Sequence, residues 1–456
     1  MNSILLLMII TWAVSFSAGY YLFKRLVSPE MYYPNMQTIF FWMYSVTISL
    51  APIFFYMEIH PYSMSLGVIA DQYTIQAHFL IQSLYFIFPI GMLLSNVLFK
   101  YKASDFQKYL DAPLLTQFRI NEKVIINIIF AIMLPLATFK LYFLSIELGN
   151  ILAILQGDIA QISYLQATRG EGANIMFGIP IYRINYLMYY FYPILIICGY
   201  IYIKNKKMNN IFSRYFIYLN IGIYLMGYIG VGKANYFDII ILIVLLRFYV
   251  DYKSFTIKKF IGLGIMLIGV GTLLMNYFMQ GGNLYTSASW FFYRFFLTQA
   301  RTIPEILKLI GTGQTDLLGS SVLPVYWGIN THLQIDVGDY IQSFYPTSGH
   351  AISIFFSEPL LGFGVIGAIV SMIIAGFISQ SLHVYLTRIS RKTPLLLACY
   401  IFFSIRFPRG AHVSFSNFVI SVKWYYTLIM IFLIIFSVSI IIKASKKASL
   451  RIENQV

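Results

Sequence analysis

Residues 280–301 read QGGNLYTSASWFFYRFFLTQAR, and they open the one long interruption, residues 280–357, in a chain that otherwise reads as apolar helix. How this interruption is read decides the fold, because the segments on both sides of it are long enough to cross a bilayer. Within it, SASWFFYRFFLTQAR (287–301) has helical periodicity, and Pro304 ends the pattern. Arg294, Thr298 and Arg301 stand at i, i+4 and i+7, so they share one face, and the rest is mainly Trp, Phe, Tyr and Leu. Such a helix lies in the membrane interface, aromatics at headgroup depth and polar stripe toward water or a ligand. Residues 311–349 read as loop and carry Asp316, His332, Asp336 and Asp339; His350 follows a Ser-Gly hinge just before Glu358 and the next apolar run.

Composition supports the membrane reading. Of 456 residues, 59% are hydrophobic and 11% charged, against roughly 25% charged in an average soluble domain, and the mean hydropathy is +0.73. Apolar windows of span length recur along the chain, and a helix needs roughly 20 residues to cross the hydrocarbon core. Both cysteines, Cys198 and Cys399, fall in apolar runs, so no disulfide framework is expected. The first run, 3–23, is too long and lacks the basic front end of a cleaved signal peptide, so it reads as a retained helix.

The expected fold is an all-α polytopic membrane protein of about 11 spans: 3–23, 36–57, 77–99, 124–146, 181–203, 214–231, 234–250, 261–279, 359–380, 393–411 and 418–442. It divides into 1–279 (eight spans, with an outer loop at 147–180), the large outer loop 280–357, and 358–456. Placing the N-terminus outside puts 22 of the 32 Lys and Arg in cytoplasmic segments, as the positive-inside bias requires, and leaves the C-terminus inside. A net charge of +15 distributed in this way reports topology and not a nucleic-acid footprint.

Ten cations remain outside or within spans. Lys140, Lys308 and Lys423 read as snorkelling side chains. Arg169 lies in the Gly-flanked turn TRGEG beside Glu171; an exposed ion pair there is worth under about 1 kcal/mol, whereas a guanidinium fork also matches phosphate oxygens. The run Gly227-Tyr-Ile-Gly-Val-Gly232-Lys233-Ala234 resembles a nucleotide-binding loop, but it lacks the hydroxyl residue and the preceding strand, so it reads as a turn between helices. Lys233 can still face an outer cavity. Between Lys392 and Arg406 lie only 13 residues, about 20 Å of helix. Either Arg406 lies at membrane depth or the helix breaks, and Pro408 and Gly410 favour a break. An ionisable group at that depth is a functional candidate, and Arg406, Arg409 and His412 form the densest outer cation cluster. The Asp336–Asp339 spacing is too loose for a specific metal pair; no metal or cofactor is expected.

The many spans, the late outer loop with its arginines, and SGHAISIFFSEPLLGFGVIGAIVSM (348–372), where His350 and Glu358 precede Gly362, Gly364 and Gly367, resemble the O-antigen and capsule repeat-unit polymerases (Wzy) and the related O-antigen ligases. The Gly spacing differs by a residue or two from the ligase-type pattern, and Ala351 stands where Asn, Ser or Gln is usual. The resemblance implies a glycosyltransferase of the bacterial cytoplasmic (inner) membrane. Such an enzyme moves a growing glycan from undecaprenyl pyrophosphate to a hydroxyl of the next lipid-linked repeat unit at the outer leaflet. Its partners would be lipid-linked oligosaccharides, membrane lipid, a chain-length regulator and a flippase, with no nucleic acid. In that chemistry His350 or Glu358 takes the acceptor proton, and Arg169, Arg294, Arg301, Arg406 and Arg409 bind the pyrophosphate. His412, Lys233 and Asp336 support them. A ligase and a lipid-linked oligosaccharide flippase are the alternatives; a membrane acyltransferase ranks last, because His60 and His78 have no Arg nearby.

Overall fold

A computed structural model describes residues 3–57, 71–115, 127–141, 175–176, 179–180, 190–204, 211–229, 233–278, 284–292, 300–313, 354–389, 392–411, 415–418, 429 and 433. The described chain is helical except for turns and one two-residue antiparallel pair, β1 (Ile175–Met176) with β2 (Ile179–Pro180). Four stretches among the described residues are long and apolar enough to cross a membrane: Ser3–Leu26, Met36–Tyr56, Gln72–Phe99 and Ser357–Arg388. The protein is therefore a helical membrane protein. The chain forms two compact units: Met1–Ala112, Arg247–Arg391 and Phe403–Ser421 make the first, and Pro113–Leu246, Lys392–Phe402 and Val422–Val456 the second.

The first unit is built on α1 (Ser3–Leu26), α2 (Met36–Thr47), α3 (Ala51–Tyr56), α4 (Asp71–Phe99) and α5 (Ala103–Asp111). In α2 the Asn35 side chain accepts from the Gln37 and Thr38 backbone amides at 3.0 Å each, and Thr38 Oγ1 accepts from the Asn35 amide at 2.9 Å. This reciprocal cap fixes where the helix starts. The sequence predicts one continuous span over 36–57, but the chain turns at 48–50 between α2 and α3. Pro52 is the reason: in a continuous helix its ring would meet the Ile48 carbonyl and no amide would be offered to it. The Ala51 amide bonds that carbonyl instead, at 3.1 Å.

The second unit holds α6 (Asn127–Leu141), α7 (Tyr192–Lys204), α8 (Ile211–Ile229) and most of α9 (Lys233–Val250). Tyr192 Oη donates to Asn220 Oδ1 at 2.6 Å, tying α7 to α8, and Phe130 of α6 packs on Phe216 of α8 with ring centroids 4.7 Å apart. Cys198 and Cys399 are buried thiols.

Back in the first unit follow α10 (Ile257–Phe278), α11 (Leu284–Phe292), α12 (Thr302–Gly311) and α13 (Ser357–Val384). α14 (Pro394–Ala411) and the short α15 (Phe415–Phe418) follow. The packing of α4 on α13 sets the architecture. A Cβ added to Gly376 would lie 2.2 Å from the Phe88 carbonyl oxygen, and one added to Gly91 would lie 2.0 Å from that of Ile373. Only glycines let two backbones cross this closely, and close crossings are how helices gain contact in lipid. Further along, Gln380 Nε2 donates to Asn96 Oδ1 at 2.8 Å, and the Ser95 and Ser381 hydroxyls meet at 3.0 Å. Residue numbers rise together along both helices, so α4 and α13 are parallel. Asn96 Nδ2 also donates to the Leu26 carbonyl at 2.8 Å, and Tyr101 Oη bonds His383 Nε2 at 2.9 Å. These bonds gather the ends of α1, α4 and α13 into one polar knot. On the opposite faces Ile10 and Val14 of α1, Leu93 and Val97 of α4, and Ile366 and Val370 of α13 are exposed apolar side chains, the stripe that lipid covers.

α13 is not the straight span predicted over 359–380. Gly364 has φ 65° and ψ −159°, a conformation essentially restricted to glycine. A Cβ on Gly367 would lie 2.3 Å from the Pro359 carbonyl oxygen. Eight residues of straight helix would separate those positions by about 12 Å. The first turns, residues 357–363, therefore fold back against the long part, residues 365–384. Gly364→Val is expected to cost about 1–3 kcal/mol, read as a lowered melting temperature in detergent. Gly269→Val, where an added Cβ meets nothing within 4 Å, is expected to leave the melting temperature unchanged.

The large interruption also differs from the expectation. Pro304 does not end a helix; it stands in the first turn of α12, where a missing amide costs nothing because first-turn amides have no intrahelical acceptor. α12 packs on α4 and α13 with Ile303, Ile306, Leu307 and Leu309 buried.

Candidate functional site

The fold-back of α13 brings the site together. The Phe355 amide donates to the Ala411 carbonyl at 2.8 Å, joining the chain just before Glu358 to the chain just after Arg409. Aromatic rings hold this junction: Phe355 lies 4.9 Å from Phe418, and Phe418 lies 4.1 Å from Phe407. Phe355 also lies 6.4 Å from both Phe40 of α2 and Phe88 of α4. Phe88 is about 25 Å from one end of α4 and about 16 Å from the other at 1.5 Å per residue, so the junction sits well inside the bundle. Irregular backbone at such depth persists only where protein buries it or a cavity solvates it.

Three of the residues singled out in the sequence lie on the two segments that this bond joins. Glu358 is buried, in the first turn of the folded-back segment, while Arg406 and Arg409 are half-buried near the end of α14. Each suits its place: a helix start favours a carboxylate, and a helix end favours a guanidinium. The break anticipated at Pro408 and Gly410 does not occur. α14 runs unbroken from Pro394 to Ala411 with Pro408 inside it, about 27 Å of helix.

A buried charged pair elsewhere in the first unit was missed by sequence reasoning. Arg301 Nε donates to Glu305 Oε1 at 2.7 Å, with the side chains 11% and 2% exposed. Arg301 stands at the N-cap of α12 and Glu305 one turn later, a spacing that makes neighbours on a helix. The signal was present as one acid in the run TIPEILKLIG, hidden because Pro304 read as a terminator. Burial pushes the Glu305 carboxyl above its ordinary value, and the Arg301 charge and hydrogen bond offset this only in part. Arg301→Ala strands that carboxylate and is expected to cost about 3–5 kcal/mol, whereas the double replacement Arg301→Met, Glu305→Leu costs far less. Melting temperatures in detergent check both. Because the folded state holds this proton more tightly than the unfolded state, the Glu305 contribution to stability falls as pH rises from about 4.5 through the folded value. Glu305→Gln removes that slope.

The remaining candidates, Arg169, Arg294, Asp336, His350 and His412, lie outside the described residues. Lys233 is the first residue of α9, and its side chain is likewise outside them. Among the described residues no group of three or more His, Cys, Asp or Glu is placed to hold a metal ion. No protein-family model matches the chain, and neither a curated protein nor a solved structure is similar to it.

Proposed function

We propose that this chain polymerises polysaccharide repeat units carried on undecaprenyl pyrophosphate, at the outer leaflet of a bacterial cytoplasmic membrane. The observation that supports the reading is the junction of Phe355 with Ala411, which joins the segment of the Wzy-like resemblance to the end of α14 that carries Arg406 and Arg409. In the reaction the bond between the donor's anomeric carbon and the pyrophosphate oxygen breaks, and an acceptor sugar hydroxyl forms the new bond. Glu358, or His350 ahead of it, takes the hydroxyl proton. Arg406 and Arg409, with Arg169 and Arg294, meet the charge that develops on the departing pyrophosphate, whereas Arg301 is held by Glu305. The donor carries its own activation, so the chemistry asks for no nucleotide sugar. In this account the chain crosses about eleven times with the N-terminus outside and the C-terminus inside. Five crossings between the third and ninth spans make those two run the same way, and α4 and α13 are parallel.

One observation favours a second reading, a flippase for lipid-linked oligosaccharides. Both α2–α3 and α13 are interrupted, and transporters build substrate sites from discontinuous helices. Surface polysaccharide and lipid-linked intermediates from a deletion strain separate the readings. Single repeat units on the lipid A core, with a ladder restored by the intact chain, support the polymerase. Long glycan stranded on undecaprenyl pyrophosphate makes the chain a ligase, and lipid-linked units trapped in the cytoplasmic leaflet make it a flippase.

A further inference from the structure

At the end of α13 remote from Glu358, contacts among three helix ends bring together cations that the proposed chemistry does not use. Lys24 and Arg25 stand in the last turn of α1, and Lys100 and Lys102 flank Tyr101 just after α4. Arg388 lies in the π-helical turn Tyr385–Ile389 that follows α13. Tyr101 Oη donates to the Val27 carbonyl at 2.9 Å, which ties the two lysines to the end of α1. The Arg388 guanidinium donates to the Phe99 carbonyl, and Arg388 Nε lies 3.7 Å from Asp105 Oδ2. The Lys102 amide donates to that same oxygen at 3.0 Å. Each of these cations thus stands within a few residues of a contact that joins the helix ends.

Lys100 has φ 53°, the one positive φ outside glycine among the described residues. Its amide donates to the Val97 carbonyl at 3.3 Å and the Tyr101 amide to the Asn96 carbonyl at 2.9 Å. That pattern closes a helix end where glycine is the usual residue, so the lysine is kept there against local sterics. Lys24, Arg25, Lys100, Lys102 and Arg388 are all exposed. Over residues 21–30, 94–108 and 385–389 the acids are Glu30, which is half-buried, and Asp105. Asp105 already takes Lys108 Nζ at 3.0 Å besides Arg388, so the cluster keeps an excess of positive charge. Beside it the surface turns apolar. Tyr21 lies one turn before Lys24 and Arg25, Leu94 and Leu98 run up to Lys100, and Tyr385 stands three residues before Arg388, all exposed.

We propose that this cluster binds the headgroup of an anionic phospholipid, whose acyl chains lie along the exposed apolar side chains beside it. A phosphodiester without a cation of its own complements the excess charge, whereas a zwitterionic headgroup carries an ammonium that the same side chains repel. The adjoining apolar surface favours a lipid over a water-soluble anion, because only an amphiphile meets both surfaces. Basic side chains where helices reach the membrane surface recognise acidic headgroups in this way. In the orientation proposed above, this end of the first unit faces the cytoplasm. The inference draws on the helix ends alone and on no step of glycan synthesis.

Native mass spectrometry of the full chain, mixed with equal amounts of phosphatidylglycerol and phosphatidylcholine of the same acyl chains, tests this. Phosphatidylglycerol is expected to be retained in preference, and Lys100→Gly to lose about fivefold of that preference. Glycine suits the backbone at residue 100, so this variant is expected to keep the size-exclusion profile of the intact chain. Adding Arg25→Gln is expected to lose about fivefold more. Lys253→Gln with Lys258→Gln removes two cations from exposed positions elsewhere in the first unit and is expected to leave the preference unchanged. Equal retention of the two lipids by the intact chain overturns the proposal. An equal loss in the two double variants also overturns it, because net charge alone would then explain the preference. Displacement of phosphatidylglycerol by inorganic phosphate at constant ionic strength would assign the cations to a free anion and overturn the lipid. None of these readouts depends on glycan synthesis, so the proposal stands or falls apart from the polymerase reading.

Discussion

Cells carrying Arg406→Ala or Arg409→Ala in place of the intact chain are expected to lose the polysaccharide ladder while the protein stays in the membrane at its normal level. Removing one preorganised donor to a developing charge lowers turnover by about 10²–10³-fold. Glu358→Gln removes a candidate proton acceptor and is expected to lower turnover by about 10²–10⁴-fold, with the carboxyl's shape retained. Both arginines are half-buried near the helix end, so the protein level of each variant is checked beside its product. Immunoblots of membranes alongside the glycan gel separate lost chemistry from lost protein. A normal ladder in all three variants would remove these residues from the site.

Gly376→Val is expected to give the largest loss of folded protein. The added carbon would stand 2.2 Å from the Phe88 carbonyl oxygen and 3.4 Å from the Gly91 Cα. Those atoms belong to the backbone of α4, so no rotamer change relieves the overlap, and α4 must move away from α13. Overpacking in a side-chain core costs about 1–3 kcal/mol; a backbone-to-backbone clash at this crossing is expected to exceed that. Such a shift would also strain the Gln380–Asn96 and Ser95–Ser381 bonds further along. Fluorescence size-exclusion chromatography checks the outcome: Gly376→Val is expected to aggregate or vanish. Gly264→Val in α10, where an added carbon meets nothing within 4 Å, is expected to elute as the unaltered chain does.

The helical membrane class was legible from composition and apolar run length, because hydropathy reports what a segment faces. Where those runs turn was not. Gly362, Gly364 and Gly367 read as small residues opening a span, yet Gly364 reverses the chain; a window average carries no direction. Pro52 lay inside an apolar run, and its effect on Ile48 is local sterics that hydropathy cannot register. The same limit hid Glu305, since a proline that ends one helix and a proline that begins another are the same letter. Arg406 and Arg409 stood out because charge in an apolar run is costly and therefore conspicuous. That their helix end meets the chain before Glu358 is seen only in the backbone bond from Phe355 to Ala411 and the rings around it, contacts between segments far apart in the sequence.

Purified full-length protein in liposomes, supplied only with undecaprenyl-pyrophosphate-linked repeat units, tests the central claim most directly. Glycans of increasing length, with one undecaprenyl pyrophosphate released per bond formed, are the result this account predicts. Repeat units that stay single while they cross the bilayer would contradict it.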